Sequence, residues 1–566
     1  MKRSLAKVNL QEASDLLRFC YVNDEGVKDV CSCNVLLNEL FKRVQQARFE
    51  EFILILATAY HGYKFYLPAF MDFRGRIYRA GVLHFHERDL AKSLILFASG
   101  DAPEQEQSPR EELSQRVQLA CAAAFKYKKF SSLNQSFRWY IQNCEALIES
   151  DKSLINLARQ ASDPFQFLGK VLSNERVTYD ERISGLNRVP VTQDASASAY
   201  QIMSYLLLNA EMGRRTNLLP SHENVIQDLY SCLKDELHEF LHSRLDNNKY
   251  SIIESRLTRK LVKQLFMPLI YGKTVITMAS DIRGVYGSLL SINDYYIIAQ
   301  LCNEYWRKKY PDIANLMMLI NLIGWFCSFL EKPVHYSIPY FTTVQDYMRS
   351  NKAEIWVYDR VCKKRRRVTL RVPTQDRDKR KTQVSTCVNF IHQKDAFIAM
   401  KVVELLALKK APVYTVHDNF ITTSVFAAGV PPIYTKVFMD LGPPLRIINE
   451  FIKKNLILPT IGELPNEPYP WYSDRVNDPI PEDPIPGDSL RTLLISLEPK
   501  DLSIKDMLKW NKKIDETVSC YEEYVNTVCG EALHPDGGMR HVEKWTEFQS
   551  LLKSWEDRGY NYSLHY

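Results

Sequence analysis

Apolar positions recur at helical spacing through Val35, Leu36, Leu37, Leu40, Phe41 and Val44, so residues 1–60 read mostly as helix. Between 61 and 100, Tyr, Phe, Gly and Pro break that period until an apolar run resumes at Ala91–Phe97. Residues 110–180 return to a helical, aromatic-rich pattern, and 186–217 read as a short strand followed by a helix. Long helical patterns cover 222–244 and 251–280. Residues 283–330 are helical and so apolar that a buried core position is expected. The nearest approach to a membrane span, Ile313–Leu330, is interrupted by Asn315, Asn321, Gly324 and Ser328, so no membrane span is expected. Two β-rich runs, Ile355–Tyr358 and Val368–Val372, can pair as a hairpin. Helix returns at 389–409, followed by extended runs at Val413–Val416 and Phe420–Val425. Eight prolines between 459 and 487 predict a linker or surface strap, and the charged tail 488–566 reads as helical. No internal repeat is present. The sum is a mostly helical α+β chain.

A length of 566 residues exceeds one ordinary core, so two to four domains or one large multi-lobed enzyme is expected. Hydrophobic residues at 46% and charged residues at 25% exclude a wholly disordered chain. Twelve scattered cysteines, with Cys31 and Cys33 too close for ordinary zinc spacing, predict a reduced compartment without a structural metal. The net charge of +6 is unevenly spread: Lys363–Lys381 holds ten basic and two acidic residues, net +8, which leaves −2 for the rest. Such a block fits a solvated loop or contact with a polyanion. The start, Met-Lys-Arg-Ser, soon meets Glu12 and Asp15 and has no apolar signal core. The expectation is a protein that works where it is made, or one whose address lies elsewhere.

Three segments could carry chemistry. In Val189-Pro-Val-Thr-Gln-Asp194-Ala-Ser-Ala-Ser-Ala-Tyr-Gln201 a β-like run delivers a carboxylate, and small residues follow that leave the Ala195 carbonyl open to a cation. Alone, this fits a helix N-cap better. In the second, Arg259, Lys263, Met267 and Tyr271 fall at i+4 intervals on one helix face, which runs from two cations to a thioether to a phenol. That order suits a triphosphate at one end and a base or sugar at the other. It equally suits a solvated stripe meeting a core stripe. Pro268 should bend this helix near Tyr271. The third, Val413-Tyr-Thr-Val-His417-Asp418-Asn419-Phe420, is a hairpin presenting Asp418, or simply a type I′ or related turn. Taken together, Asp…Lys…Asp is a set that nucleotidyl transfer from an NTP requires: two carboxylates bridging two Mg2+ ions, and a lysine to neutralise or protonate the leaving pyrophosphate.

In this order the residues resemble the single-subunit, phage-type DNA-directed RNA polymerases that also serve mitochondria and chloroplasts. The landmarks are Asp72-Phe-Arg-Gly-Arg76-Ile-Tyr78, Gln193-Asp194-Ala-Ser, Arg259-x3-Lys263-x3-Met267-x3-Tyr271-Gly272, Asn389-Phe-Ile-His392-x2-Asp395 and Val416-His417-Asp418-Asn-Phe. Asn217-Leu-Leu-Pro220 and Asp228-Leu-Tyr230 also fit, and the likeness covers about residues 60 to 430. The Ala-Ser-Ala-Ser-Ala-Tyr-Gln stretch and Met267-Pro268 resemble the branch carried by mitochondrial linear plasmids.

The resemblance implies a right-hand fold: a helical remnant of the thumb or N-terminal region at 1–60, palm at 61–250 and 386–458, and fingers at 251–385. A proline-rich linker at 459–487 and a helical extension at 488–566 would complete the chain. It implies Asp194, Asp418 and the Ala195 carbonyl as ligands of two Mg2+ ions, and Asp194, Lys263 and Asp418 as the catalytic set. Arg259 and Lys263 would hold the triphosphate, with Tyr271 and His392 sensing the ribose. Arg74, Arg76, Tyr78 and Lys92 would lie along the template–RNA hybrid. It implies DNA template, RNA product and NTPs as partners, an initiation factor or separate N-terminal region, a monomer, and a protein made inside the mitochondrion. Three departures stand out: Ala195 and Ala199 replace usual glycines, Gln264 replaces an arginine, and only about 70 residues precede Asp72. The competing expectations are a related DNA polymerase and a catalytically silent nucleic-acid-binding relic.

Overall fold

The computed structural model describes residues 33–98, 109–144, 151–175, 188–287, 289–360, 363–457, 484–529 and 537–566. The expectations for residues 1–32, and for all but the last residues of the proline-rich segment 459–487, lie outside these. The chain is mostly helical α+β. A long helix, Cys33–Tyr60, buries Ile53 against Leu83, Phe85, Ala91, Ile95 and Phe97. The turn between β1 (Ala69–Met71) and β2 (Ile77–Arg79) carries the Asp72–Arg76 landmark. Helices Pro109–Tyr127, Leu133–Asn143, Asp151–Ala158 and Pro164–Glu175 form a satellite bundle around Ala120, Ala123, Ala124, Phe130, Tyr140, Phe167 and Val171. The alanine run lets the helices approach closely, because no larger side chain intervenes.

At the centre lies a four-stranded antiparallel sheet. Its order is β10 (Leu564–His565), β3 (Pro190–Ala195), β9 (Asn419–Thr423), β8 (Tyr414–Val416). β8 and β9 are joined by a two-residue turn, His417–Asp418, as the sequence suggested. Only His417 takes a left-handed φ, 58°, so the turn is not type I′, which needs two such residues. The sheet packs under a 30-residue helix, Lys379–Leu408, and against Val430–Asp440. The apolar helix Pro311–Phe329 is long and apolar enough to cross a membrane, yet most of it is buried in this core. Its two asparagines have protein partners: Asn321 accepts from the Cys387 amide and Asn315 donates to the Cys520 carbonyl.

Two stretches differ from expectation. Residues 251–280 are not one helix. Thr258 caps a helix over Arg259–Phe266, Met267–Leu269 form a 3-10 turn at Pro268, Gly272 turns the chain at φ 76°, and Thr274 caps the helix Val275–Tyr286. Proline and glycine set these breaks by lacking an amide donor and a Cβ respectively. The hairpin is longer than the apolar runs suggested. After the short pair β4 (Val334–Ile338) and β5 (Phe341–Gln345), β6 (Met348–Asp359) and β7 (Lys364–Arg377) form a two-stranded ribbon with Ile355 opposite Val368. Six of the ten basic residues lie on β7 itself rather than in a loop, Lys379, Arg380 and Lys381 open the next helix, and the ribbon is mostly exposed, Trp356 at 67%.

The tail is helical over Gly487–Ser496, Ile504–Cys529 and Gly537–Lys553, and it enters the main core. Trp510 is fully buried among Trp325, Phe326 and Phe329, with ring centroids 5.6, 4.8 and 5.3 Å away. The Tyr521 hydroxyl donates to Asn449 and the Tyr524 hydroxyl to the Leu206 carbonyl. The chain then returns to place β10 at the sheet edge beside Asp194.

Candidate active site

Antiparallel pairing sets Asp194 opposite Asn419, so Asp418, the preceding residue, reaches the same end of the sheet. Asp194 is open to solvent, yet it is walled by protein on enough sides that burial raises its pKa. Lys263, Lys126 and Lys92 oppose that rise. Asp418 is pushed up to about 8, first by burial and then by the charges of Asp194 and Asp395. Two carboxylates at one sheet end, the second raised in part by the charge of the first, form a pattern that suits a divalent cation. Among the described residues no group of three or more His, Cys, Asp or Glu forms a metal cage. A cation at this position would complete its shell with water, main-chain or substrate oxygens, as Mg2+ does readily. The Ala195 carbonyl accepts the Ala197 amide at 2.9 Å, and Ala195 pairs with Leu564 of β10 at the sheet end. The strained residue here is Ala197, left-handed at φ 63°, whereas Ala195 ends a regular strand and Ala199 lies in the helix Ser198–Leu206.

On one flank lies an arc of cations. The helix Arg259–Phe266 buries Leu261, Val262, Leu265 and Phe266 and leaves Lys263 exposed. The Arg259 guanidinium and the Lys263 ammonium both stand 5.8 Å from the Tyr230 ring centroid. Arg259 also grips both oxygens of Asp228, one contact at 2.9 Å, and Lys129 faces the same carboxylate at 3.9 Å. Lys126, Lys129, Asp228 and His565 were not singled out from sequence. The lysines sit in an ordinary-looking Lys126-Tyr-Lys-Lys129 run, and Asp228 was noted only as part of a landmark. The basic run was the only signal available for the lysines. His565 reaches the site through β10, with Nδ1 3.3 Å from Ser196 Oγ.

The opposite flank holds rings and ion pairs. Tyr271 stacks on His392 with centroids 4.8 Å apart and planes inclined by 26°. Ser198 lies near both Tyr271 and Asp418, between this flank and the carboxylates. Arg74 lies against His392, and Arg76 forms a buried pair with Asp395 at 2.6 Å. The Tyr78 hydroxyl accepts from Arg74 Nη2 at 3.5 Å, and its ring lies edge-on to His417 at 5.0 Å and stacks near His86 and Phe70. Lys92 lies on the short helix Asp89–Ser93, where its charge is felt by Asp194 and by His86. The fold thus gathers Asp194, Asp418, Lys263, Arg259, Tyr271, His392, Arg74, Arg76 and Lys92 around one sheet end, with Tyr78 at its rim. Tyr271 does not continue the Arg259–Phe266 helix face; it arrives from the turn after the 3-10 segment.

Residues 114–310 match the family of DNA-dependent RNA polymerases. The chain is 30% identical to a probable DNA-directed RNA polymerase of Zea mays, over 97% of this chain and 55% of that protein. It is 25% identical to a probable DNA-directed RNA polymerase of Agaricus bitorquis, over 66% and 36%. It is 26% identical to a mitochondrial DNA-directed RNA polymerase of Schizosaccharomyces pombe, over 50% and 24%. The chain spans about half the length, or less, of these relatives. It is a relative of the single-subunit, phage-type DNA-directed RNA polymerases of the mitochondrial branch.

Proposed function

We propose that this relative of the single-subunit polymerases carries out template-directed RNA synthesis from NTPs at the end of its central sheet. The observation that carries the reading is the convergence of Asp194 and Asp418, flanked by Lys263 on one side and by the Tyr271–His392 stack on the other. In this reading the sheet and its covering helices are the palm, at 61–250 and 386–458. Residues 251–385 are the fingers, the described helix before residue 61 belongs to a thumb or N-terminal region, and 488–566 is an extension.

Asp194 and Asp418, with the Ala195 carbonyl, would hold two Mg2+ ions. Bound there, Mg2+ would supply Lewis-acid stabilisation to the attacking and leaving oxygens. Lys263 and Arg259 bind the triphosphate: Lys263 is exposed with its charge acting on Asp194, and Arg259, one turn earlier on the same helix, is held in place by Asp228. Lys263 is the proton donor placed to serve the leaving pyrophosphate. Tyr271 and His392 present a flat, half-apolar face to the sugar. Lys92 and Tyr78 line the side on which a template–RNA hybrid would lie. Arg74 and Arg76 border that side, with their guanidinium groups turned toward His392 and Asp395. The exposed β6–β7 ribbon, dense in Arg and Lys, suits contact with the phosphates of the nucleic acid. Mitochondrial transcription, as in the relatives named mitochondrial, is the cellular setting this reading favours, with a monomeric enzyme helped to its start sites by a separate factor or region.

The test is extension of an RNA primer on a preformed RNA–DNA scaffold with Mg2+, with NTPs and dNTPs in separate reactions. Template-dependent extension with NTPs is expected. Extension with dNTPs alone would instead indicate a DNA polymerase. Scaffold binding without synthesis would indicate a silent nucleic-acid-binding relic.

A further inference from the structure

We propose that Arg74 is a positioning residue for sugar selection: it fixes the tautomer of His392 so that the ring donates a hydrogen bond from Nε2 toward the nucleotide. The inference rests on the reading of His392 as a ribose-contacting group. It gives Arg74 a different task from the hybrid contact implied by the resemblance.

Arg74 Nη1 lies 2.6 Å from His392 Nδ1. A guanidinium offers only donors, so Nδ1 accepts, and the neutral ring carries its single proton on Nε2. A doubly protonated ring would set N–H against N–H. Burial and the nearby charges of Arg76 and Arg74 hold His392 well below its ordinary pKa of 6.5, so the neutral form persists. The ring plane is fixed independently by the stack on Tyr271. Among the described residues, Nδ1 is the one ring nitrogen of His392 with a protein hydrogen-bond partner.

Arg74 is itself held in place. Its Nε and Nη2 donate to Asp72 Oδ2 at 2.8 and 2.5 Å, which leaves the Nη1 edge to face the histidine. Asp72 Oδ1 meanwhile accepts the backbone amides of Arg74 and Arg76 at 2.9 and 3.1 Å. The turn is therefore shaped by Asp72 and the main chain, and the Arg74 side chain is left for orientation. An obligatory donor at Nε2 is satisfied by a ribose hydroxyl oxygen and is left unpaired by a deoxyribose. Leaving a buried donor unpaired is what makes a hydrogen-bonding site reject the analogue that lacks the hydroxyl. Without Arg74 the proton is free to move to Nδ1, and that discrimination weakens.

The test uses the full chain on the RNA–DNA scaffold with Mg2+. It compares kcat/KM for one NTP and its dNTP in wild type, Arg74→Met, Arg74→Lys and His392→Ala. Nitrogen-15 shifts of labelled histidine are read in parallel, with His392 assigned by its absence in His392→Ala. Arg74→Met is expected to lower the NTP/dNTP ratio about ten-fold, the worth of one hydrogen bond, through slower NTP use. Arg74→Lys, still a donor only, should retain most of the ratio. Wild-type His392 should show an unprotonated Nδ1, and Arg74→Met should lose that signature. A protonated Nδ1 in wild type, or an equal fall for both nucleotides in Arg74→Met, would overturn the inference. If His392→Ala lowers the ratio and Arg74→Met does not, the ribose reading stands and the role of Arg74 falls. If His392→Ala keeps the ratio, both fall.

Discussion

Replacing Asp418 with Asn separates the charge of the site from its shape. Burial and the carboxylates of Asp194 and Asp395 push Asp418 from its ordinary 3.8 to about 8. At about 1.4 kcal/mol per tenfold change in proton affinity, an ionised Asp418 costs the metal-free protein at most about 6 kcal/mol. The turn is partly wetted and the repulsion is shared with Asp194, so a gain of about 1–3 kcal/mol is expected from the neutral amide. The folded state binds this proton more tightly than the unfolded state. The penalty is therefore absent below about pH 4, grows between about pH 4 and 8, and is complete above. Urea denaturation in EDTA should show Asp418→Asn more stable than wild type at about pH 9, with the difference vanishing toward about pH 4. Added Mg2+ should stabilise wild type and leave the variant unmoved, since a ligand stabilises only the state that binds it. A variant less stable than wild type at about pH 9 in EDTA, or a difference flat with pH, would refute the charge argument.

Asp228→Asn keeps an oxygen to cap the Leu229–His242 helix but loses the charge that grips Arg259. KM for NTP should rise about five- to ten-fold with kcat little changed, as for the loss of one charge-assisted hydrogen bond. Steady-state kinetics on the scaffold checks this. Arg365 and Arg371 lie exposed on β7, so changing both to Gln should leave the melting temperature unchanged. The same change should reduce the slope of log K against log salt by about two in scaffold binding. Trp510→Ala removes a fully buried indole from between three aromatic rings and should cost about 3–5 kcal/mol by urea denaturation, although Trp510 lies in the tail.

The carboxylates were legible because their context is local. Val189–Gln193 and Val413–Val416 are short β-rich runs ending in polar tips, and they form the strands expected of them. The ribbon was expected as a hairpin, but its register was not legible: the two apolar runs meet only at Ile355 and Val368, while Trp356, Val357 and Tyr358 face Arg367, Arg366 and Arg365. What the sequence hid depends on distant packing. β10 is two residues long, has no periodicity, and exists only because β3 offers it an edge. Lys126 and Lys129 look like any basic surface run until the bundle turns them toward Asp194 and Asp228. The even i+4 spacing from Arg259 to Tyr271 suggested one continuous face, but Pro268 and Gly272 break the helix, and tertiary packing brings Tyr271 to the site by another path. Arg74 and Arg76 read as cations for a polyanion, whereas their partners, His392 and Asp395, lie more than 300 residues away.

The central claim is that Asp194 and Asp418 together hold the metal ions of a nucleotidyl transfer. The most direct measurement is single-nucleotide extension of the scaffold across a Mg2+ titration, in wild type, Asp194→Asn and Asp418→Asn, with scaffold affinity measured alongside. The account predicts saturable Mg2+ dependence in wild type and loss of extension in each variant, with scaffold affinity nearly unchanged. Wild-type extension by both variants would contradict it.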